Sequence, residues 1–192
     1  MGHEIVLFHS ALGLRPAVRD WAEQLRARGH QVHTPDLFEG KVFDELDDGV
    51  RERDRIGIPE LIARSEAAIA ELPAELVYAG ISMGTGPAEL FATARPGAVG
   101  LILLHGALAP ADIELPAWPQ VPVQIHYVEG DQWVDVTSVR AIEEAARQAG
   151  TQCETYSYDR GVHVFEDAGL PGHDAKYARL MFDRVAAFLE RI

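Results

Sequence analysis

An apolar run, Leu76-Val77-Tyr78-Ala79, leads into Gly80-Ile81-Ser82-Met83-Gly84, and the chain then becomes helix-forming from about Met83 onward. Gly-x-Ser-x-Gly at a strand-to-helix junction is the pattern of a nucleophile elbow, a turn so sharp that only small flanking residues let the backbone through. The turn lifts the Ser82 hydroxyl alone above a sheet. It also sets the Met83 backbone N–H at a helix N-terminus, where negative charge is stabilised. At average glycine and serine usage the five-residue pattern arises by chance in roughly one chain in fifteen. Its position between a buried strand and a helix is therefore what gives it meaning, and that position requires an α/β chain.

The remaining sequence supplies such a chain. Glu4 to His9 is a continuous apolar, partly β-branched run, as in a parallel strand buried on both faces. A loop, Ser10-Ala11-Leu12-Gly13-Leu14, follows it. Pro16 then opens a helix in which Val18, Trp21, Ala22 and Leu25 recur at helical spacing up to Gly29. Gln31 to Thr34 reads as a short second strand closed by Pro35-Asp36. Leu37 to Ile58 has no convincing period and reads as a long connection with one helical turn. Pro59 opens the next helix, with Leu61, Ile62, Ser65, Ile69 and Leu72 on a broad face until Pro73.

Further strands are expected at Val99–Leu104, Pro122–Val128 and Gln152–Tyr158. Helices are expected at Val136–Ala149, ended by Gly150, and at Ala175–Arg191, burying Tyr177, Leu180, Met181, Val185, Phe188 and Leu189. Leu108 to Val121, with Pro110, Pro116 and Pro119, reads as a stiff loop. Alternating strands and helices with buried apolar runs imply a compact doubly wound α/β domain over residues 1–192. The sheet is mostly parallel with about six strands, has helices on both faces and carries little or no cap. In such sheets the binding crevice lies at the carboxyl ends of the strands.

The chain's charge and cysteine content narrow the function classes. With 17 basic against 30 acidic residues the formal charge is −13, which opposes nucleic acid or an anionic membrane as partner. No apolar run is long enough to span a bilayer, and no cationic, apolar leader precedes Ile5. Cys153 is the single cysteine, so there is no disulfide framework. Together these features fit a cytoplasmic protein with a small-molecule substrate. The sequence does not specify an oligomeric state.

The crevice rule places reactive residues just after strands, and three candidates stand there: Ser82, then Asp131, then His163. A serine hydroxyl is a weak nucleophile at neutral pH and needs a base within hydrogen-bonding reach. Histidine can take its proton and later return it to the leaving group, while a carboxylate fixes the ring tautomer and stabilises its cation. The order Ser, Asp, His is that of the α/β-hydrolases. Asp135 rivals Asp131 but lies where a helix begins and is more simply a cap. The oxyanion donors expected are the backbone N–H groups of Met83 and Ala11, with Leu12 as the alternative to Ala11.

Leu12, His105, Trp133 and Phe165 are candidate pocket residues, although a packed histidine also explains His105. Cys153 reads as inert packing. No cofactor or metal is called for, because neither H-E-x-x-H spacing, nor a thiolate set, nor paired glycines after the first strand is present.

The chain resembles the dienelactone hydrolase family of α/β-hydrolases from first strand to last helix. The resemblance is carried by Pro35-Asp36-Leu37, Gly80-Ile81-Ser82-Met83-Gly84, His126-Tyr127-Val128-Glu129-Gly130-Asp131 with Trp133-Val134, and Tyr158 through Gly161-Val162-His163-Val164-Phe165. It implies a nearly capless, cofactor-free hydrolase with Ser82, Asp131 and His163 as nucleophile, acid and base, and supports Ala11 and Met83 as oxyanion donors. Founding members use a cysteine nucleophile restrained by a glutamate in the first loop; here Ser82 and Ser10 stand at those places. They also carry an arginine shortly after the histidine, where this chain has Glu166 and Asp167. An anionic dienelactone is therefore expected to meet repulsion there. The sequence thus reads as a serine hydrolase of a small carboxylic ester, lactone or thioester. The alternatives are a non-catalytic small-ligand-binding module of the same fold, and an acyltransferase or perhydrolase using the same three residues.

Overall fold

The computed structural model describes residues 2–113 and 118–192, so Pro116 of the expected stiff loop lies outside the described residues. Strands β1 (Glu4–Phe8), β2 (Gln31–His33), β3 (Val77–Ile81), β4 (Gly100–Leu104), β5 (Val123–Val128) and β6 (Cys153–Tyr158) form one parallel sheet in the order β2-β1-β3-β4-β5-β6. The helices between them are α1 (Pro16–Arg26), α2 (Leu46–Ile56), α3 (Ile58–Ile69), α4 (Thr85–Ala94), α5 (Val136–Ala149) and α6 (Ala175–Leu189).

Side-chain alternation along the strands explains why the apolar runs are unbroken. Ile5, Leu7, Ala79 and Ile102 face one way and pack with Val18, Trp21 and Leu25 of α1 and Met181, Val185 and Phe188 of α6. Val6, Phe8, Tyr78 and Leu101 face the other way, onto Leu61 and Ile69 of α3, Ala88 and Phe91 of α4 and Ile142 of α5. A strand covered on both faces needs apolar side chains at both parities. Each large side chain removed from water in this way contributes about 1.5–3 kcal/mol.

The chain winds outward from β1 to β2, then returns and continues from β3 on the other side. The carboxyl ends of β1 and β3 therefore flank the topological switch point, where a crevice opens. The loop after β1 carries Ser10 to Leu12, and the turn after β3 carries Ser82.

Two expectations change. The connection from Leu37 to Ile58 contains the eleven-residue helix α2, not one turn. Its inward positions are Leu46, Gly49, Val50, Glu52 and Arg53, a helical spacing hidden because a glycine and two charged residues occupy apolar places. Gly49 is needed there: a Cβ would stand 1.9 Å from the Ala11 carbonyl oxygen, so the helix lies directly on the loop after β1. Leu180, expected on the buried side of α6, is 36% exposed and lies off the stripe formed by Met181, Val185 and Phe188.

Candidate active site

The turn after β3 is a single 3-10 turn, Ser82–Gly84, that runs directly into α4. Ser82 has φ 51°, a left-handed conformation that a side-chain-bearing residue adopts only when its surroundings enforce it. The flanking glycines do so by close approach. A Cβ on Gly80 would lie 2.1 Å from the Gly84 carbonyl oxygen, and one on Gly84 would lie 2.3 Å from that of Phe8. The strain thus rests on β1 and β3 being pressed against the turn, and it points the Ser82 hydroxyl into the crevice.

The three side chains singled out by sequence meet there. The Ser82 hydroxyl lies 2.7 Å from His163 Nε2, and His163 Nδ1 lies 2.6 Å from Asp131 Oδ2. Residues 81 and 32 positions apart in sequence are thus joined in one hydrogen-bonded chain. With Nδ1–H donating to the carboxylate, Nε2 is the acceptor for the serine proton. Burial pushes the Asp131 carboxyl up, but the hydrogen bond and charge of His163 outweigh it and hold it below its ordinary value. The Trp133 backbone N–H donates to Asp131 Oδ1 at 3.0 Å and fixes the carboxylate's orientation. Asp135, the rival, accepts from the Thr137 N–H at 2.8 Å and caps α5. Asp135→Ala is expected to lower the melting temperature, read by circular dichroism, while leaving ester turnover within a few-fold of wild type.

The loop after β1 presents Ala11 to the same crevice as Ser82, Met83 and His105, in a cavity of about 160 Å³. The Ala11 N–H makes no hydrogen bond among the described residues, and N–H groups in the first turn of a helix, such as that of Met83, have no helical partner. The alternative, Leu12, is spoken for: its N–H donates to Ser10 Oγ at 3.2 Å. His9 holds this loop from beneath. Its Nδ1–H donates to the Ser10 carbonyl at 2.7 Å and its Nε2 accepts the Leu37 N–H at 3.0 Å. Burial pulls the His9 ring below its usual value, which favours this neutral, two-sided role.

Of the candidate pocket residues, Trp133 is 40% exposed and lines the crevice, and Leu12 and His105 lend it edges. Phe165 does not line it. It is fully buried beneath, with ring contacts to His105 at 4.7 Å and Tyr158 at 5.0 Å. His105 is both packed and adjacent to the site, standing edge-on to His163 with ring centroids 5.6 Å apart.

The largest correction concerns Glu166 and Asp167. Both are buried, and neither offers a free charge to a substrate. Glu166 Oε2 lies 2.8 Å from His105 Nε2 as an ion contact. Burial alone would raise its carboxyl, but the His105 charge outweighs that and holds it below its usual value. Asp167 accepts from Arg15 Nε at 2.5 Å, and the same guanidinium reaches the Phe43 carbonyl and Asp44. The two acids therefore face into the protein and border neither of the cavities that Ser82 lines. Their sequence position beside His163 suggested a role in the crevice, but their partners, 61 and 152 residues away in the chain, draw them into the protein.

A metal reading can also be tested. Ring nitrogens of His105 and His163 and a carboxylate oxygen of Asp131 lie within 4.8 Å of one another. His163 and Asp131 already spend the facing atoms on each other and on Ser82, so the set is a hydrogen-bonded chain, not an open ligand cage. The sequence places the segments 38–58 and 108–121 at the pocket without specifying their conformation, and the structure supplies that wall through Leu46, Val50 and Arg53 of α2 and through Leu108, while the share taken by α3 was not expected. Arg53 lines both cavities that contain Ser82.

The profile of the dienelactone hydrolase family matches residues 2–192. The chain belongs to that family. A carboxymethylenebutenolidase from Rhodococcus opacus is 29% identical over 208 aligned residues, 99% of this chain and 81% of the relative. Among solved structures, a dienelactone hydrolase-like promiscuous phosphotriesterase from metagenomic libraries superposes with a TM-score of 0.80 at 19% identity, covering 98% of this chain and 86% of its own. Esterase 2 of Thermogutta terrifontis, captured phosphorylated by paraoxon, superposes with a TM-score of 0.68 at 19% identity, covering 98% and 82%. These place the fold among the α/β-hydrolases. As a member of this family, the protein is a carboxylic ester hydrolase-like enzyme.

Proposed function

We propose that the protein hydrolyses a small carboxylic ester, lactone or thioester through an acyl-enzyme on Ser82. The observation that carries the proposal is the unbroken hydrogen-bonded chain from Asp131 through His163 to a serine held at positive φ on the elbow. As Ser82 Oγ attacks the carbonyl carbon, His163 Nε2 takes the hydroxyl proton. The carbonyl oxygen gains the negative charge, and the backbone N–H groups of Ala11 and Met83 receive it. The imidazolium, stabilised by Asp131, gives its proton to the departing alkoxide or thiolate. That leaves an acyl ester on Ser82 and a hydrogen-bonding vacancy at His163, where water binds. His163 takes a proton from this water as its oxygen attacks the acyl carbon; the bond from that carbon to Ser82 Oγ then breaks, the imidazolium returns the proton to Oγ, and the carboxylic acid leaves.

The test is covalent. A fluorophosphonate probe should label the protein once, at Ser82 by peptide mass spectrometry, and the Ser82→Ala protein should neither label nor hydrolyse short p-nitrophenyl esters. The paraoxon adduct of the Thermogutta esterase supports the choice of an organophosphorus probe. Unchanged ester hydrolysis by Ser82→Ala would overturn the mechanism. Labelling at Ser82 without turnover of any ester, lactone or thioester in a panel would overturn the substrate class.

A further inference from the structure

The crevice has two unlike sides. Toward His163, a cavity of about 590 Å³ is bordered by Asp131, Trp133, Val162 and His163. A second cavity of about 470 Å³ runs between α3 and α4 and is bordered by Ser82 itself, which the first cavity does not reach. Ser82 and Met83 form one end of it, and Leu61, Ile62, Leu90 and Leu108 supply its walls. His163 does not border this second cavity among the described residues.

The chemistry of acyl transfer assigns the two sides. The group that His163 must protonate is the leaving group, so the alcohol or thiol lies on the His163 side. The acyl group, bonded to Ser82 with its carbonyl oxygen toward the Met83 N–H, points the other way, into the space between α3 and α4. Resting on the reading of Ser82 as nucleophile, we propose that this space is an acyl slot and that the enzyme prefers esters of unbranched, apolar acyl groups well beyond acetyl in length.

Three features support the assignment. The slot's walls are mostly aliphatic, with Arg53 and Asp112 at its border, so it offers an apolar chain a matching surface and few polar partners along its length. At ~30 Å³ for each water-sized group, it has room for a chain several times larger than acetyl. Ile58, 58% exposed, and Leu108, 36% exposed, are large apolar side chains left open to solvent, and both line this slot. At Gly86 the wall is kept thin: among the described residues a Cβ there would meet only Leu108 Cδ1, at 3.5 Å, so the missing side chain leaves room beside Ser82.

The experiment is an acyl-length series of p-nitrophenyl esters, acetate, butyrate and octanoate, on the wild-type protein and on Ile62→Trp and Leu90→Trp. Both positions are half-buried on the slot wall, so a larger ring can be accepted by the fold while occupying the acyl path. Each methylene buried in the transition state raises kcat/KM roughly fourfold. The wild-type octanoate-to-acetate ratio of kcat/KM should therefore exceed 10, and each Trp variant that retains a wild-type circular dichroism spectrum should lower that ratio at least tenfold. A wild-type preference for acetate, or an unchanged ratio in both folded variants, would overturn the slot. In that case, continued fluorophosphonate labelling of Ser82 would show that the nucleophile reading survives. Loss of labelling in the wild-type protein would instead remove the reading on which the slot rests.

Discussion

Asp131→Asn should lower kcat for p-nitrophenyl ester hydrolysis by about 10,000-fold while leaving the fold intact. In the wild-type protein the carboxylate accepts the Nδ1–H of His163 at 2.6 Å, which leaves Nε2 unprotonated and 2.7 Å from the Ser82 hydroxyl. An asparagine side chain of the same shape can turn its NH₂ toward Nδ1 and donate. The ring then carries its proton on Nε2, facing a hydroxyl whose proton it can no longer accept. The variant also loses the negative charge that stabilises the imidazolium during acylation. The Trp133 N–H, donating to Oδ1, keeps a hydrogen-bond acceptor after the change, so loss of activity should not come from loss of the loop. Stopped-flow or steady-state turnover beside circular dichroism checks this. Asp135→Ala, which removes a carboxylate four residues away that only caps α5, serves as the control. If Asp131→Asn kept more than a tenth of wild-type kcat, another group would have to orient His163.

The contrast between Asp131 and Asp135 shows what was legible in the sequence. Strand ends and helix starts follow from local patterns, so a carboxylate after β5 and another at the start of α5 are distinguishable in the sequence itself. The order of Ser82, Asp131 and His163 along the chain, each after a strand, was readable because a doubly wound parallel sheet delivers every carboxyl end to one edge. Partners set by long-range packing were not readable. Glu166 and Asp167 follow His163 and looked available to substrate, yet both turn inward, Glu166 against His105 from the end of β4 and Asp167 onto Arg15 from the start of α1. Helix α2 was hidden for a related reason. Its contact with the loop after β1 needs a glycine, and its other inward positions include Glu52 and Arg53, so apolar periodicity was a poor guide to a helix that roofs a polar crevice.

Glu89→Gln should flatten the pH dependence of stability between about pH 5 and pH 8. Glu89 lies on α4 with no solvent exposure. One carboxyl oxygen accepts the Leu108 N–H at 2.9 Å, and the other has no partner among the described residues. Burial pushes this carboxyl up to about 8, from a usual value of 4.5, against a smaller opposing effect of the Leu108 hydrogen bond. The native state therefore keeps the proton between those two values while the unfolded chain releases it. Where the native state binds more protons, unfolding free energy falls as pH rises. The contribution is fully present below about 4.5 and is lost as pH climbs through about 8. At about 1.4 kcal/mol per pH unit, wild type should lose about 3 kcal/mol from this group between pH 5 and pH 7.5. Glutamine keeps an acceptor for Leu108 and does not titrate, so the difference in urea-unfolding free energy between variant and wild type should move in the variant's favour by that amount over the same interval. Its two amide hydrogens shift the variant's stability equally at every pH and leave this difference of differences untouched. Parallel pH profiles for the two proteins would show that Glu89 ionises normally.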